Sequence, residues 1–231
     1  MSRARGIWAV VPAKGVSGAK QRLAGLLGAE DRRQLALAML EDVLAALCGV
    51  HGIAGVALVT CDPVASDLGR SFRVRLLPQD RDVGHTAAVA HAARTLRAEG
   101  CTGMIVVPGD VPLVTARDIR RLLAAHGPAP AVTLAPDRDG RGSNGVVCSP
   151  PDALPFCFGE DSFRRHLERA RALGIRPAVV RLLGLGLDLD RPADLLAFAA
   201  QPSETRTWGW LRRRRLIDAS RPALDRTAEL P

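Results

Sequence analysis

Short apolar runs and amphipathic stretches take turns along this chain, and that alternation restricts its fold more than any other feature. Residues 7–11 predict a short buried strand, and residues 56–60, 74–77, 104–107, 131–134, 145–148 and 176–182 predict further strands. The spacing of Leu35, Met39, Val43 and Leu47 predicts a helix over 30–47, with Glu30 and Asp31 suited to its positive N-terminal end. Further helices are expected over 82–97, after the near capping box Thr115-Ala-Arg-Asp118, over 162–173 and over 192–199. Strands that alternate with helices form a mostly parallel sheet covered on both faces, so the expected fold class is α/β with three layers. Ligands of such sheets bind beyond the carboxyl ends of the strands. That gathers the loops after Val11, Leu77, Val107 and Leu187 into one candidate site.

A chain of 231 residues is long enough for one such domain, expected over 1–200. From Gln201 the apolar pattern fails, and 201–231 reads as an appended basic C-terminal tail, partly ordered. The net charge of +8 raises a nucleic-acid partner, but much of it sits in the terminal arginines, including the run 212–215. Aromatic residues make up only 3%, too few for base-stacking platforms, so no nucleic acid is expected. The five cysteines form no CxxC pair and read as free thiols of a reducing compartment. With no signal-peptide pattern and no window long enough for a membrane span, a cytoplasmic protein without a membrane partner is expected.

The lysines are the sharpest chemical clue. Of 32 basic side chains only Lys14 and Lys20 are not arginine, and both stand in the loop after the first strand. A compact ammonium serves a crowded polyphosphate as a point charge, where a guanidinium fork fits poorly. Gly15 and Gly18 in the same loop permit close backbone approach to anionic oxygens, although no Walker A spacing is present.

Carboxylates follow other strands. Asp110 ends Val106-Val-Pro-Gly-Asp110, and Asp188 and Asp190 stand two apart in Leu187-Asp-Leu-Asp190, so that both point to one side of an extended segment. Three carboxylates with no basic partner nearby would repel, and Mg²⁺ between them would remove the repulsion. Asp190 also stands where it could cap the helix that begins at Pro192. His85 falls in a ligand loop as a candidate for base or sugar contact; the other histidines, His166 among them, read as structural or solvated. On the acceptor side, the amides around Gly159 and Ser162 at a helix start suit a carboxylate or phosphate.

Taken together, VPAKGVSGAKQRL (11–23), VVPGDVPLV (106–114), DGRGSN (139–144), FGEDSFRRH (158–166) and LDLDRPADL (187–195) resemble a known family. It is the 2-phospho-L-lactate or phosphoenolpyruvate guanylyltransferases of coenzyme F420 biosynthesis, in the MobA-like nucleotidyltransferase superfamily. The resemblance spans about residues 6–200. It implies a Rossmann-like nucleotidyltransferase fold, Mg²⁺, GTP as donor and a phosphorylated carboxylic acid as acceptor. It implies that Lys14, Lys20 and Asp110 are catalytic, and that Pro12, Ala13, Lys14, Lys20, Gly84, Thr86 and Pro108 bind the nucleotide. It further implies Asp110, Asp188 and Asp190 as metal ligands, and Ser143, Gly159 and Ser162 as the acceptor's contacts.

The chain departs from the family pattern at Gly84-His-Thr-Ala87, where Gly-Leu-Asn-Ala is usual, and at Ser143-Asn-Gly-Val146, where Thr-Asn-Ala-Leu is commoner. Both changes touch ligand loops and leave phosphoenolpyruvate, phospholactate and a phosphoglycerate open as acceptors. Partners implied are small molecules, with a downstream transferase of the same pathway left open. The competing readings are a nucleotidyltransferase acting on a molybdenum cofactor or sugar phosphate, a non-catalytic nucleotide-binding module, and a nucleic-acid binder acting through the tail.

Overall fold

The computed structural model describes residues 5–13, 15, 18–82 and 84–217. Its strands are β1 (Ile7–Pro12), β2 (Gly55–Thr60), β3 (Arg75–Pro78), β4 (Gly103–Val106), β5 (Ala131–Pro136), β6 (Ser143–Ser149) and β7 (Ala178–Val179). They form one sheet in the order β3-β2-β1-β4-β6-β5-β7. All pairings are parallel except those of β6, which runs antiparallel to both β4 and β5. The reason is the short 137–142 connection, which can close a hairpin but cannot cross over the sheet.

Alternate side chains of the strands enter different cores, as a period of two requires. Ala9, Val11, Leu58 and Ile105 pack with Leu40, Val43, Leu44 and Leu47 of α1 (Ala29–Cys48) and Ile119 and Leu122 of α4 (Ala116–Ala124). Val10, Ala57, Val59 and Met104 pack with Val89, Ala92 and Leu96 of α3 (His85–Ala98) and Phe163 and Ala170 of α5 (Ser162–Ala172). The expected strand over 176–182 pairs only as β7, and its end runs into the short helix α6 (Leu183–Gly186). A helix not expected from the sequence, α2 (Pro63–Ser71), begins at Asp62, whose carboxylate accepts from the amides of Val64 and Ala65.

The segment from Gln201, expected as an appended tail, instead begins with a docked helix, α8 (Arg206–Arg213). Trp208, Trp210 and Leu211 bury themselves with Leu35 and Met39 of α1 and Phe198 of α7 (Pro192–Ala199). The buried carboxylate of Asp42 accepts from the amides of Arg206 and Thr207 and from the Thr207 hydroxyl, at 2.6–2.9 Å. Arg206 pairs with Glu41 and Arg214 with Asp31, so part of the terminal basic charge is spent on α1. Through Ile217 this segment shares one buried apolar cluster with α1 and α7. Residues 218–231, the rest of that expected tail, lie outside the described residues.

Candidate active site

The sheet order reverses between β1 and β4, the place where an open α/β sheet leaves a crevice at its carboxyl edge. A cleft of about 1130 Å³ opens there. The loop after β1 supplies Lys20, whose backbone is left-handed at φ 55°. A 3₁₀ turn over Gln21–Leu23 follows, and Leu23 is fully buried against α1 and α7. This anchor holds a conformation that costs a non-glycine residue about 1 kcal/mol, and it sends the side chain back across the crevice.

The loop after β4 supplies Asp110, and the segment before α7 supplies Asp188 and Asp190. These acidic segments are stitched together where the amide of Leu189 donates to the carbonyl of Asp110 at 3.1 Å. The Lys20 Nζ lies 2.8 Å from Asp110 Oδ2 and 2.5 Å from Asp190 Oδ1. Its side chain is only 7% exposed, while those of Asp110 and Asp190 are 30% and 37% exposed.

The electrostatics follow from this crowding. Burial works against the Lys20 ammonium, but the charges of Asp110 and Asp190 outweigh it and hold its pKa above the ordinary lysine value. Burial likewise pushes the Asp110 carboxyl up, and Lys20 more than reverses this, leaving it below the usual carboxylate range. Asp188 receives no such help. Its own burial and the nearby charge of Asp110 push its pKa up to about 6, against a hydrogen bond from Asn144.

Asp190 is not consumed as a helix cap. The N-cap position falls to Arg191, and Asp194 in the first turn accepts from the amides of Asp190 (3.0 Å) and Arg191 (2.7 Å), which leaves the Asp190 side chain to the cleft. The expectation that no basic group stands near the carboxylates is corrected, because Lys20, expected against phosphates, bridges two of them. Among the described residues no three acidic, histidine or cysteine side chains are grouped so as to hold a metal ion. The donor set still suits Mg²⁺. One cation, the ammonium, is already shared by Asp110 and Asp190, and Mg²⁺ is commonly held by one or two carboxylates together with substrate phosphates.

The other expected residues divide between the two arms of the cleft. Pro12, Ala13 and Pro108 line it beside the acidic centre, and Gly84 borders a narrow adjoining recess with Pro12, Ala13 and His85. Gly84 needs its glycine backbone, at φ 84°, to open α3. Thr86 faces the Phe158 carbonyl at 3.5 Å and does not line the cleft. Lys14 lies outside the described residues. Ser143, Gly159 and Ser162 line the opposite arm together, with the Ser143 amide donating to Ser162 Oγ at 3.0 Å.

Two residues were not singled out from sequence. Asn144 joins the arms, donating from Nδ2 to the Leu185 carbonyl at 2.9 Å and to Asp188 Oδ1 at 3.2 Å. His166, fully buried, stands 2.9 Å from Ser143 Oγ. Asn144 lies inside the DGRGSN segment and His166 closes the FGEDSFRRH segment, so each stood within a usable signal.

The model of the family described as "Guanylyl transferase CofC like" matches residues 7–226. The chain belongs to that family. CofC-like membership makes it an enzyme of the nucleotidyltransferase class, and the match extends past residue 200 through α8. A phosphoenolpyruvate guanylyltransferase of Rubrobacter xylanophilus is 36% identical over 194 residues, covering 84% of this chain and 94% of the relative. One of Sphaerobacter thermophilus is 38% identical over 188 residues, covering 81% and 89%.

The solved structures carry the fold alone. A chain of Desulfovibrio desulfuricans G20 described as a nucleotide-diphospho-sugar transferase superposes with a TM-score of 0.74 at 15% identity, covering 94% of this chain and 96% of that one. A CMP:2-keto-3-deoxy-manno-octonic acid synthetase complexed with CTP gives 0.59 at 17% identity, covering 84% and 96%. The CofC-like chain therefore has the α/β nucleotidyltransferase fold. Among its described residues no helix is long and apolar enough to cross a membrane.

Proposed function

We propose that this CofC-like chain transfers GMP from GTP to the phosphate of phosphoenolpyruvate or 2-phospho-L-lactate, releasing pyrophosphate, in the biosynthesis of coenzyme F420. The observation that carries the reading is the Asp110–Lys20–Asp190 bridge at the switch point of the sheet, in one cleft with the hydroxyls of Ser143 and Ser162. Curated relatives named phosphoenolpyruvate guanylyltransferase support the choice of substrates.

In this reading an oxygen of the acceptor phosphate attacks the α-phosphorus of GTP, and the bond from that phosphorus to the bridging oxygen of the β-phosphate breaks. The acceptor phosphate is already anionic near neutral pH, so the site needs no general base, only charge dispersal and alignment. Lys20, with Lys14, meets the triphosphate. Pro12, Ala13, Gly84 and Pro108 form the nucleotide side. Ser143, Gly159 and Ser162 hold the acceptor's carboxylate and phosphate. Asp110, Asp188 and Asp190 would hold Mg²⁺, which when bound disperses phosphate charge and helps to align the reacting groups. Lys20 must then exchange its carboxylates for phosphate oxygens when nucleotide enters. The work is placed in the cytoplasm, where GTP is available and free thiols such as those of the five cysteines persist. The partners are small molecules, and a downstream transferase of the same pathway receives the product.

The test is pyrophosphate release from each nucleoside triphosphate with Mg²⁺ and a panel of phosphoacids. Release with GTP and phosphoenolpyruvate or phospholactate is expected. Release only with a phosphoglycerate, a sugar phosphate or a molybdenum cofactor would move the acceptor assignment, and release with none would overturn it.

A further inference from the structure

His166 is fully buried on the inner side of α5, behind the acceptor arm of the cleft. Both of its ring nitrogens are engaged. The backbone amide of Cys157 donates to Nε2 at 3.0 Å, and Nδ1 lies 2.9 Å from Ser143 Oγ. Phe158 and Phe156 meet the ring edge-on, at 5.0 and 6.5 Å between centroids, and hold its plane.

The tautomer follows from the partners. A backbone amide can only donate, so Nε2 must present its lone pair, and the single proton of a neutral imidazole then sits on Nδ1. The neutral ring is the form the site favours, because burial, aided by the charges of Arg169 and Arg165, pushes the His166 pKa down to about 4. The Nδ1–H therefore donates to Ser143 Oγ, and the Ser143 hydroxyl is an acceptor in that contact. Its own hydrogen is directed away from His166. Ser162 is in a matching state, since its Oγ accepts the Ser143 amide and keeps its hydrogen for another partner. Both residues line the cleft. Two hydroxyls, each with one lone pair occupied from behind, offer hydrogens to whatever enters. That arrangement suits anionic oxygens.

We propose that His166 is a positioning residue of the acceptor arm: its Nδ1–H turns the Ser143 hydroxyl into a donor aimed at the acceptor's carboxylate or phosphate. The inference deepens the proposed function and rests on that reading for the identity of the ligand. The imidazole touches no substrate itself. It sets the direction of one hydroxyl hydrogen before the ligand arrives, so that the hydroxyl is not reoriented at the expense of binding.

The first test needs no substrate. In uniformly ¹⁵N-labelled, ligand-free protein at pH 7, the imidazole nitrogen shifts should show His166 protonated at Nδ1 with a bare Nε2; the opposite tautomer would overturn the proposal. The second uses steady-state kinetics with GTP and phosphoenolpyruvate. His166→Gln keeps an oxygen near Nε2 for the Cys157 amide but has no donor for Ser143, and should raise the KM for phosphoenolpyruvate about tenfold with the KM for GTP unaltered. Ser143→Ala should cost a similar factor, and the double variant no more than either alone. His166→Asn, whose side-chain amide reaches the Nδ1 position, should recover most of the loss. Multiplying losses in the double variant, or equal losses for both substrates, would reduce His166 to a packing residue. If the wild type releases no pyrophosphate with any phosphoacid, the proposed function fails and the tautomer measurement alone decides the inference.

Discussion

Replacing Lys20 by Met removes the ammonium that Asp110 and Asp190 share while keeping the length and apolar stem of the side chain. At about 3 Å and an effective dielectric near 20, each contact with Asp110 and Asp190 has a gross attraction of about 5 kcal/mol. Most of this is offset by the cost of burying the ammonium and by water at the carboxylates, both roughly a third exposed. A net loss of about 2–3 kcal/mol remains, which for a domain of this size lowers Tm by about 5–10 °C. Mg²⁺ should restore more of that stability in Lys20→Met than it adds to the wild type, because the ammonium no longer competes for the carboxylates. Turnover should fall about 10²- to 10³-fold, since the same side chain is proposed to meet phosphate charge. Thermal denaturation with and without millimolar Mg²⁺, beside pyrophosphate release, reads all three effects. A variant with wild-type melting, an unchanged Mg²⁺ response and wild-type turnover would refute the reasoning.

Asp188→Asn should abolish pyrophosphate release while leaving the urea midpoint close to that of the wild type; full activity would remove Asp188 from the site. His166 makes stability depend on acid. Its folded pKa, about 4, lies below the ordinary 6.5, so the unfolded chain binds the proton first on acidification. The contribution is whole above pH 6.5 and falls by about 3 kcal/mol as pH drops to 4. Urea denaturation across that window should show a flatter profile in His166→Gln, and parallel profiles would contradict the assignment. Asp42→Ala strands two amides and a hydroxyl at the start of α8 and should cost about 2–4 kcal/mol. Amide exchange should rise first over Arg206–Arg213; uniform exchange would show that α8 does not depend on this cap.

Much of the layout was legible in advance because it rests on local periodicity. Buried parallel strands read as continuous apolar runs, and Leu35, Met39, Val43 and Leu47 mark the inward stripe of α1 wherever the helix sits. The antiparallel β6 was not read, because the expected strands 131–134 and 145–148 leave a longer gap than the 137–142 connection that the full β5 and β6 enclose. The docking of α8 was not legible either, because a stretch of arginines around Trp208 and Trp210 reads as a solvated tail until Asp42, far off in sequence, is known to cap it.

Chain order and residue type alone established an α/β sheet, the loops at its carboxyl edge, and lysines and aspartates concentrated in those loops. Tertiary structure decided which of them touch. Lys20 faces Asp110 and Asp190 because a left-handed backbone and a buried Leu23 aim it across the crevice. Asp190 is left to the site because Arg191 takes the N-cap position, and His166 holds its proton on Nδ1 because one backbone amide reaches Nε2. Spacing along a chain governs what a segment can become, whereas Coulomb forces and hydrogen bonds act through space over a few ångströms, between residues such as Lys20 and Asp190 that stand 170 positions apart.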